Sequence, residues 1–153
     1  MQSEYETTTD PLAVSSNSSS VQTHLGIMQD VISRMAQNSN GCKTWCITII
    51  SAMLVVLSDS GSLEHWWVVL FPSLLFMILD CYYLSLEKGF RDSYNKFVHY
   101  VQTNNLRAED FYSVRPSGNM VLHRRDALFS FATWGFYLGI IGVVLVIKYM
   151  LEK

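Results

Sequence analysis

The sequence predicts an all-α membrane protein: three transmembrane helices, two of them extended into the cytoplasm, and a small cytoplasmic insert with the pattern of a β-hairpin. Three observations carry that expectation. Half of the 153 residues are hydrophobic and only 16% are charged, against about 25% in an average soluble domain. The shortage of charge is concentrated in three apolar blocks. The basic residues are distributed unevenly between those blocks: segment 58–65 has no Lys or Arg, whereas 87–126 carries Lys88, Arg91, Lys96, Arg107, Arg115, Arg124 and Arg125. By the positive-inside rule the second segment and the N-terminus are expected in the cytoplasm.

Residues 1–20 are rich in Ser, Thr and Asn and have little to bury, so they are expected to form a disordered tail. They lack the basic start and apolar centre of a signal peptide. Segment 21–103 is expected to hold a heptad helix, the first two spans and a stalk. Val21, Leu25, Met28, Ile32 and Met35 recur at spacings of four, three, four and three, the seam of a helix that wants a partner stripe. That partner is either another helix of the same chain or a second copy. The first apolar block, Thr44 to Leu57, is short beside the roughly 20 residues a span requires. It is therefore expected to continue the heptad helix without interruption.

"SDSGSLEH" at 58–65 reads as a tight polar turn, and Trp66 and Trp67 after it fit a membrane-interface belt. The second span is expected over Trp66 to Leu86, with Pro72 in its second turn. The pattern then continues without a turn signal. Glu87 with Arg91 and Asp92 with Lys96 are acid-first pairs four apart. Phe90, Tyr94, Phe97 and Val101 hold one face, so a helical stalk should reach Gln102.

Asp80 lies about 9 Å inside the cytoplasmic end of that span, at 1.5 Å per residue. A charge at the bilayer centre costs about 2.5–3.5 kcal/mol on the lenient insertion scale, and somewhat less at this depth. Protonation, a partner or a water-filled cavity would lower the cost. Candidate partners are Thr44 and Thr48 at similar depth, Lys43 reaching down, and Thr133 or Trp134 on the third span. Asp80 with Thr44 and Thr48 is thus the candidate intramembrane or pore-lining set. A helix–helix hydrogen bond and a pore-facing carboxylate both remain open.

Residues 104–126 form a basic insert. "RPSGN" is a turn signal, and "FYSV" and "MVLH" on its flanks could pair as strands. The final segment, 127–153, holds the third span, Ala127 to Ile147, with Gly135 and Gly139 in a G-x-x-x-G pattern that allows close approach of another helix.

No Gly-rich phosphate loop, nucleophile elbow or metal-ligand cluster stands out, so neither an enzyme nor a bound cofactor or metal is expected. Cys42 and Cys46, one turn apart, suit helix packing or two ligands of an incomplete metal set. The basic and aromatic mixture around 96–125 suits either anionic membrane lipids or an anionic ligand held by arginine forks and stacked rings.

"RMAQNS", "CKTWCIT" and "LDCYYLSLEKGFRDSYN", within residues 24–97, resemble small bacterial membrane effectors encoded beside nucleotidyltransferases in anti-phage loci, of the Hailong effector type. The resemblance implies an oligomeric inner-membrane channel, a tetramer being one such form. It would depolarise the membrane on phage infection and be held closed by a single-stranded DNA oligomer made by the nearby nucleotidyltransferase. It carries over no ligand motif residue by residue. The candidate nucleotide or DNA contacts are the basic cluster itself: Lys96, His99, Arg107, Arg115, His123, Arg124 and Arg125. A non-conducting membrane anchor that recruits a soluble partner through 87–126 is the alternative.

Overall fold

A computed structural model of the chain describes residues 18–59 and 63–151. The expected tail lies outside the described residues up to position 17, and so does the middle of the expected 58–65 turn. Among the described residues the fold consists of α1 (Ser19–Asp59), α2 (Leu70–Gln102), α3 (Met120–Leu128) and α4 (Phe131–Leu151), with 3₁₀ turns at Leu63–Val69 and Ala108–Tyr112. Three stretches, Ser19–Asp59, Trp66–Gln102 and Met120–Met150, are long and apolar enough to cross a membrane. On length and composition this is a multi-pass membrane protein.

α1 is one uninterrupted helix of 41 residues. At 1.5 Å per residue it is about 60 Å long, twice the roughly 30 Å hydrocarbon thickness. The short first apolar block is therefore part of a helix that also continues well outside the bilayer. α2 is likewise continuous for 33 residues and ends at Gln102. Pro72 is the third residue of α2, not part of a second turn. Its missing N–H is one of those a helix start leaves unpaired in any case, so it need not kink the helix.

α1 and α2 pack antiparallel: Gln29 Nε2 donates to Tyr94 Oη at 3.3 Å, while further along Lys43 meets Asp80. Two apolar cores form along this hairpin. In one, Val21 and Met28 of α1 close on Phe97 of α2 and Leu106 of the following loop, with Leu25, Tyr94 and Phe111 around them. The other joins Cys46, Ile50, Val69, Tyr137 and Val144, so α4 packs at that end. Between the cores the seam is made of small and polar side chains: Ser39 and Cys42 on α1, and Asp80, Ser85 and Gly89 on α2. The outer faces of the spans are apolar and exposed, Trp45, Val55, Phe71, Ile78, Val143 and Val146 among them, as lipid-facing surfaces are.

The insert contains no strand among the described residues, which corrects the hairpin expectation. Phe111 and Tyr112 lie in a 3₁₀ turn, and Met120 to His123 open α3. Local capping decides this. The Asp110 carboxylate accepts from the Arg107 N–H at 2.9 Å. Asn119 Oδ1 accepts from the N–H groups of Val121 and Leu122 at 3.0 and 3.3 Å, starting a helix. The segment between lies on α2, not on a partner strand: the Ser117 N–H donates to the Gly89 carbonyl at 3.0 Å, and Ser93 Oγ donates to the Arg115 carbonyl.

The third span also differs from expectation. Ala127 and Leu128 belong to α3, and the long helix begins only at Phe131. The break is satisfied locally, since the Ala127 carbonyl accepts from the Ser130 N–H at 3.2 Å and the Thr133 hydroxyl at 3.0 Å. At the far end of the bundle the Lys148 ammonium stands 5.2 Å from the Trp66 ring centre, a contact that accommodates a basic residue on the sparsely charged side.

Candidate functional site

Asp80 is completely buried and is held by α1. Lys43 Nζ lies 2.8 Å from Oδ1 and 2.7 Å from Oδ2, and the Ser39 hydroxyl also donates to Oδ1. Among the described residues Oδ2 has the ammonium as its one close partner. Ser39 and Lys43 are one turn apart on α1, so one face of that helix supplies both donors; Lys43 Nζ also reaches Ser39 Oγ at 3.3 Å. The lysine side chain keeps 19% exposure, so the pair is not sealed off entirely on the Lys43 side.

Thr44 and Thr48 do not join this site. Both are exposed, and their hydroxyls donate to carbonyls of their own helix, Asn40 at 3.1 Å and Thr44 at 2.9 Å. A threonine in an apolar helix can satisfy its hydroxyl this way without a partner helix. They sit one and five residues beyond Lys43, off the Ser39–Cys42–Cys46 face that meets α2. Thr133 is buried but donates to Ala127, and Trp134 is exposed. On α4, the buried Tyr137 hydroxyl has no hydrogen-bond partner among the described residues. Cys42 and Cys46 are buried in the helix seam, and no three His, Cys, Asp or Glu side chains come together for a metal among the described residues.

The basic cluster divides into separate settings. Lys96 and Arg115 line one cavity of about 200 Å³ with His24, Ser93, Tyr100 and Asp110. That is below the roughly 300–1,000 Å³ of ordinary ligand pockets, a size for one charged group, such as a single phosphate of a longer ligand. Lys96 also stands 5.6 Å from the Tyr100 ring centre. Its expected pair with Asp92 is replaced: Asp92 meets His123 Nε2 at 3.0 Å across the α2–α3 contact. Glu87 and Arg91 do pair as expected, at 2.8 Å. Arg107 reaches Glu109 at 3.5 Å over a different hollow. His99 is exposed against Tyr100, and Arg124 and Arg125 are exposed on α3. Only two of the seven basic candidates therefore share a cavity.

His24, on α1 beside Lys96 and Arg115 in the lining of that cavity, is buried. Its ring lies 4.4 Å from that of Phe97 and 5.8 Å from that of Phe111. Burial lowers its pKa below the usual 6.5, opposed by a hydrogen bond to the Phe111 backbone and by the Asp110 charge. The Nε2 atom has no hydrogen-bond partner among the described residues.

The chain matches no protein-family model, no curated protein and no solved structure. The site therefore stands on its own chemistry: a buried ion pair between two helices long and apolar enough to cross a membrane, and a small basic cavity further along the same two helices. Ser39 is the residue that sequence reasoning missed. A signal for it existed, because Ser39, Cys42, Cys46 and Ile50 follow at spacings of three, four and four and form one buried face. The basic head offered no comparable periodic signal, since its members come from a helix, a loop and a second helix.

Proposed function

We propose that this protein is an oligomeric channel of the bacterial inner membrane, gated at its cytoplasmic head by an anionic ligand, a nucleotide or single-stranded DNA oligomer, and acting by depolarisation in anti-phage defence. The observation that carries the channel reading is the Lys43–Asp80 pair. An ion pair at membrane depth adds little stability over an apolar pair, whereas intramembrane ionisable residues commonly mark ion paths and switches. The pair links the two helices that each continue into the head, where Lys96 and Arg115 form a basic cavity. A ligand that shifts α1 against α2 would thus act on the pair directly. The nucleic-acid ligand, the nucleotidyltransferase partner and the defence role rest on the resemblance of residues 24–97.

The test is the membrane potential of cells producing the protein, followed with a voltage-sensitive dye. Asp80→Asn and Lys43→Gln should each shift the expression level needed for depolarisation by about tenfold, with membrane insertion unchanged. Potential that stays constant in the wild type under every ligand condition rejects the channel. The exposure of Arg124 and Arg125 on a face away from the cavity favours a second reading, an anchor for a soluble partner. In that case reversing both charges would release the partner, and permeability would never change.

A further inference from the structure

A second hollow, independent of the ion pair and the basic cavity, lies where α2 meets α3. Its volume is about 460 Å³, and it is lined by Met77, Ile78, Cys81 and Tyr82 of α2 with Arg124 and Leu128 of α3. The wall is mostly apolar, and Arg124 is its one charged side chain. Ile78 is 58% exposed and Tyr82 47%, so the groove opens outward from the bundle. Arg124 forms no ion pair with any described residue. Along α2 the groove begins within the apolar part of the span and stops four residues short of the charged run that starts at Glu87. Its upper end at Tyr82 lies four residues, about 6 Å, inside Leu86, the expected cytoplasmic end of the span, a distance that an arginine side chain spans to reach the headgroups.

The geometry points to a binding site for one anionic phospholipid, with an acyl chain along Met77, Ile78 and Leu128 and the phosphate at Arg124. Charge complementarity and depth commit the groove to this occupant. A fork of guanidinium donors matches a phosphate, and a tyrosine ring suits the headgroup level. Exposed Val121, Leu122 and Phe129 on and beside α3 keep this short helix at the membrane surface, where such a lipid is abundant. The site is independent of the channel reading and would also exist in a non-conducting anchor.

The full chain, purified in mild detergent with equal phosphatidylglycerol and phosphatidylcholine, is read by native mass spectrometry for lipid retained per chain. The wild type should keep phosphatidylglycerol at least about fivefold over phosphatidylcholine, the discrimination one basic residue near the surface supplies. Arg124→Gln should abolish that preference, and Ile78→Trp, which fills the groove, should reduce retention of both lipids about fivefold. Equal retention of the two lipids by the wild type overturns the assignment even if a variant fails to fold. So does an unchanged preference in Arg124→Gln, or displacement of the lipid by glycerol phosphate without acyl chains at the same concentration. Ile78→Trp that splits an assembly and leaves lipid retention unchanged would place a second copy in the groove and overturn it too.

Discussion

Asp80 shows how a single residue sets the requirements for its surroundings. A carboxylate with no exposure, on a helix long and apolar enough to cross a membrane, needs donors on the neighbouring helix, and Ser39 and Lys43 supply them. Removing one partner leaves the other charge unpaired. Asp80→Asn should therefore lower stability near the lower end of the roughly 3–5 kcal/mol typical of a broken buried pair, because the Lys43 side is not sealed off entirely. The double substitution Asp80→Leu with Lys43→Met should restore stability to within about 1 kcal/mol of the wild type, since an apolar pair replaces an ionic one with little loss. Unfolding followed by circular dichroism in detergent micelles measures both. No loss in Asp80→Asn would mean that water, and not Lys43, stabilises the carboxylate. The sequence revealed the aspartate because it interrupts an apolar run. Choosing Lys43 over Thr44 and Thr48 required the rotational setting of α1 against α2, which adjacent positions in a sequence do not define.

At the scale of elements, the two long helices were legible and the insert was not. Periodicity of three and four runs through Val21–Met35 and Phe90–Val101, and it continues across the isolated Gly26, so the extensions beyond the bilayer followed from local pattern. The insert has turn residues but weak periodicity, and its conformation is decided by what it lies on. Gly89 is the landing point. A Cβ there would come within 2.8 Å of Pro116 Cβ and 3.1 Å of Met120 Sδ. Gly89→Val should therefore cost about 1–3 kcal/mol as overpacking, and hydrogen exchange of residues 113–117 should rise while that of residues 40–56 stays unchanged. Exchange that is unaltered throughout would show that the insert does not depend on this contact. Gly118, at φ +84°, completes the same turn beside Asp92 and His123, and its left-handed backbone is one that glycine adopts readily.

For the whole molecule the open question is what covers α4. Gly139 and Gly142 would meet nothing within 4 Å among the described residues if a Cβ were added, so none of these covers the small-residue face of this helix. In the proposed oligomer this face is suited to close approach of a second copy. Gly139→Leu should then reduce the assembly to smaller species on native mass spectrometry while the helix content of each chain is retained. A variant with wild-type stoichiometry would place the contact between copies elsewhere.

The sequence by itself determined three membrane-length segments, the continuity of α1 and α2 beyond the bilayer, and the presence of a carboxylate within a span. Each of these depends on hydrophobic period and length, which are local properties of the chain. Tertiary structure alone decided that Asp80 pairs with Ser39 and Lys43, that the insert folds as a 3₁₀ turn and a capped helix against Gly89, and that Lys96 and Arg115 line one cavity while Arg107 and Arg124 line others. Those outcomes depend on which faces of separate helices meet, and burial and charge pairing between distant positions settle that only when the chain is packed.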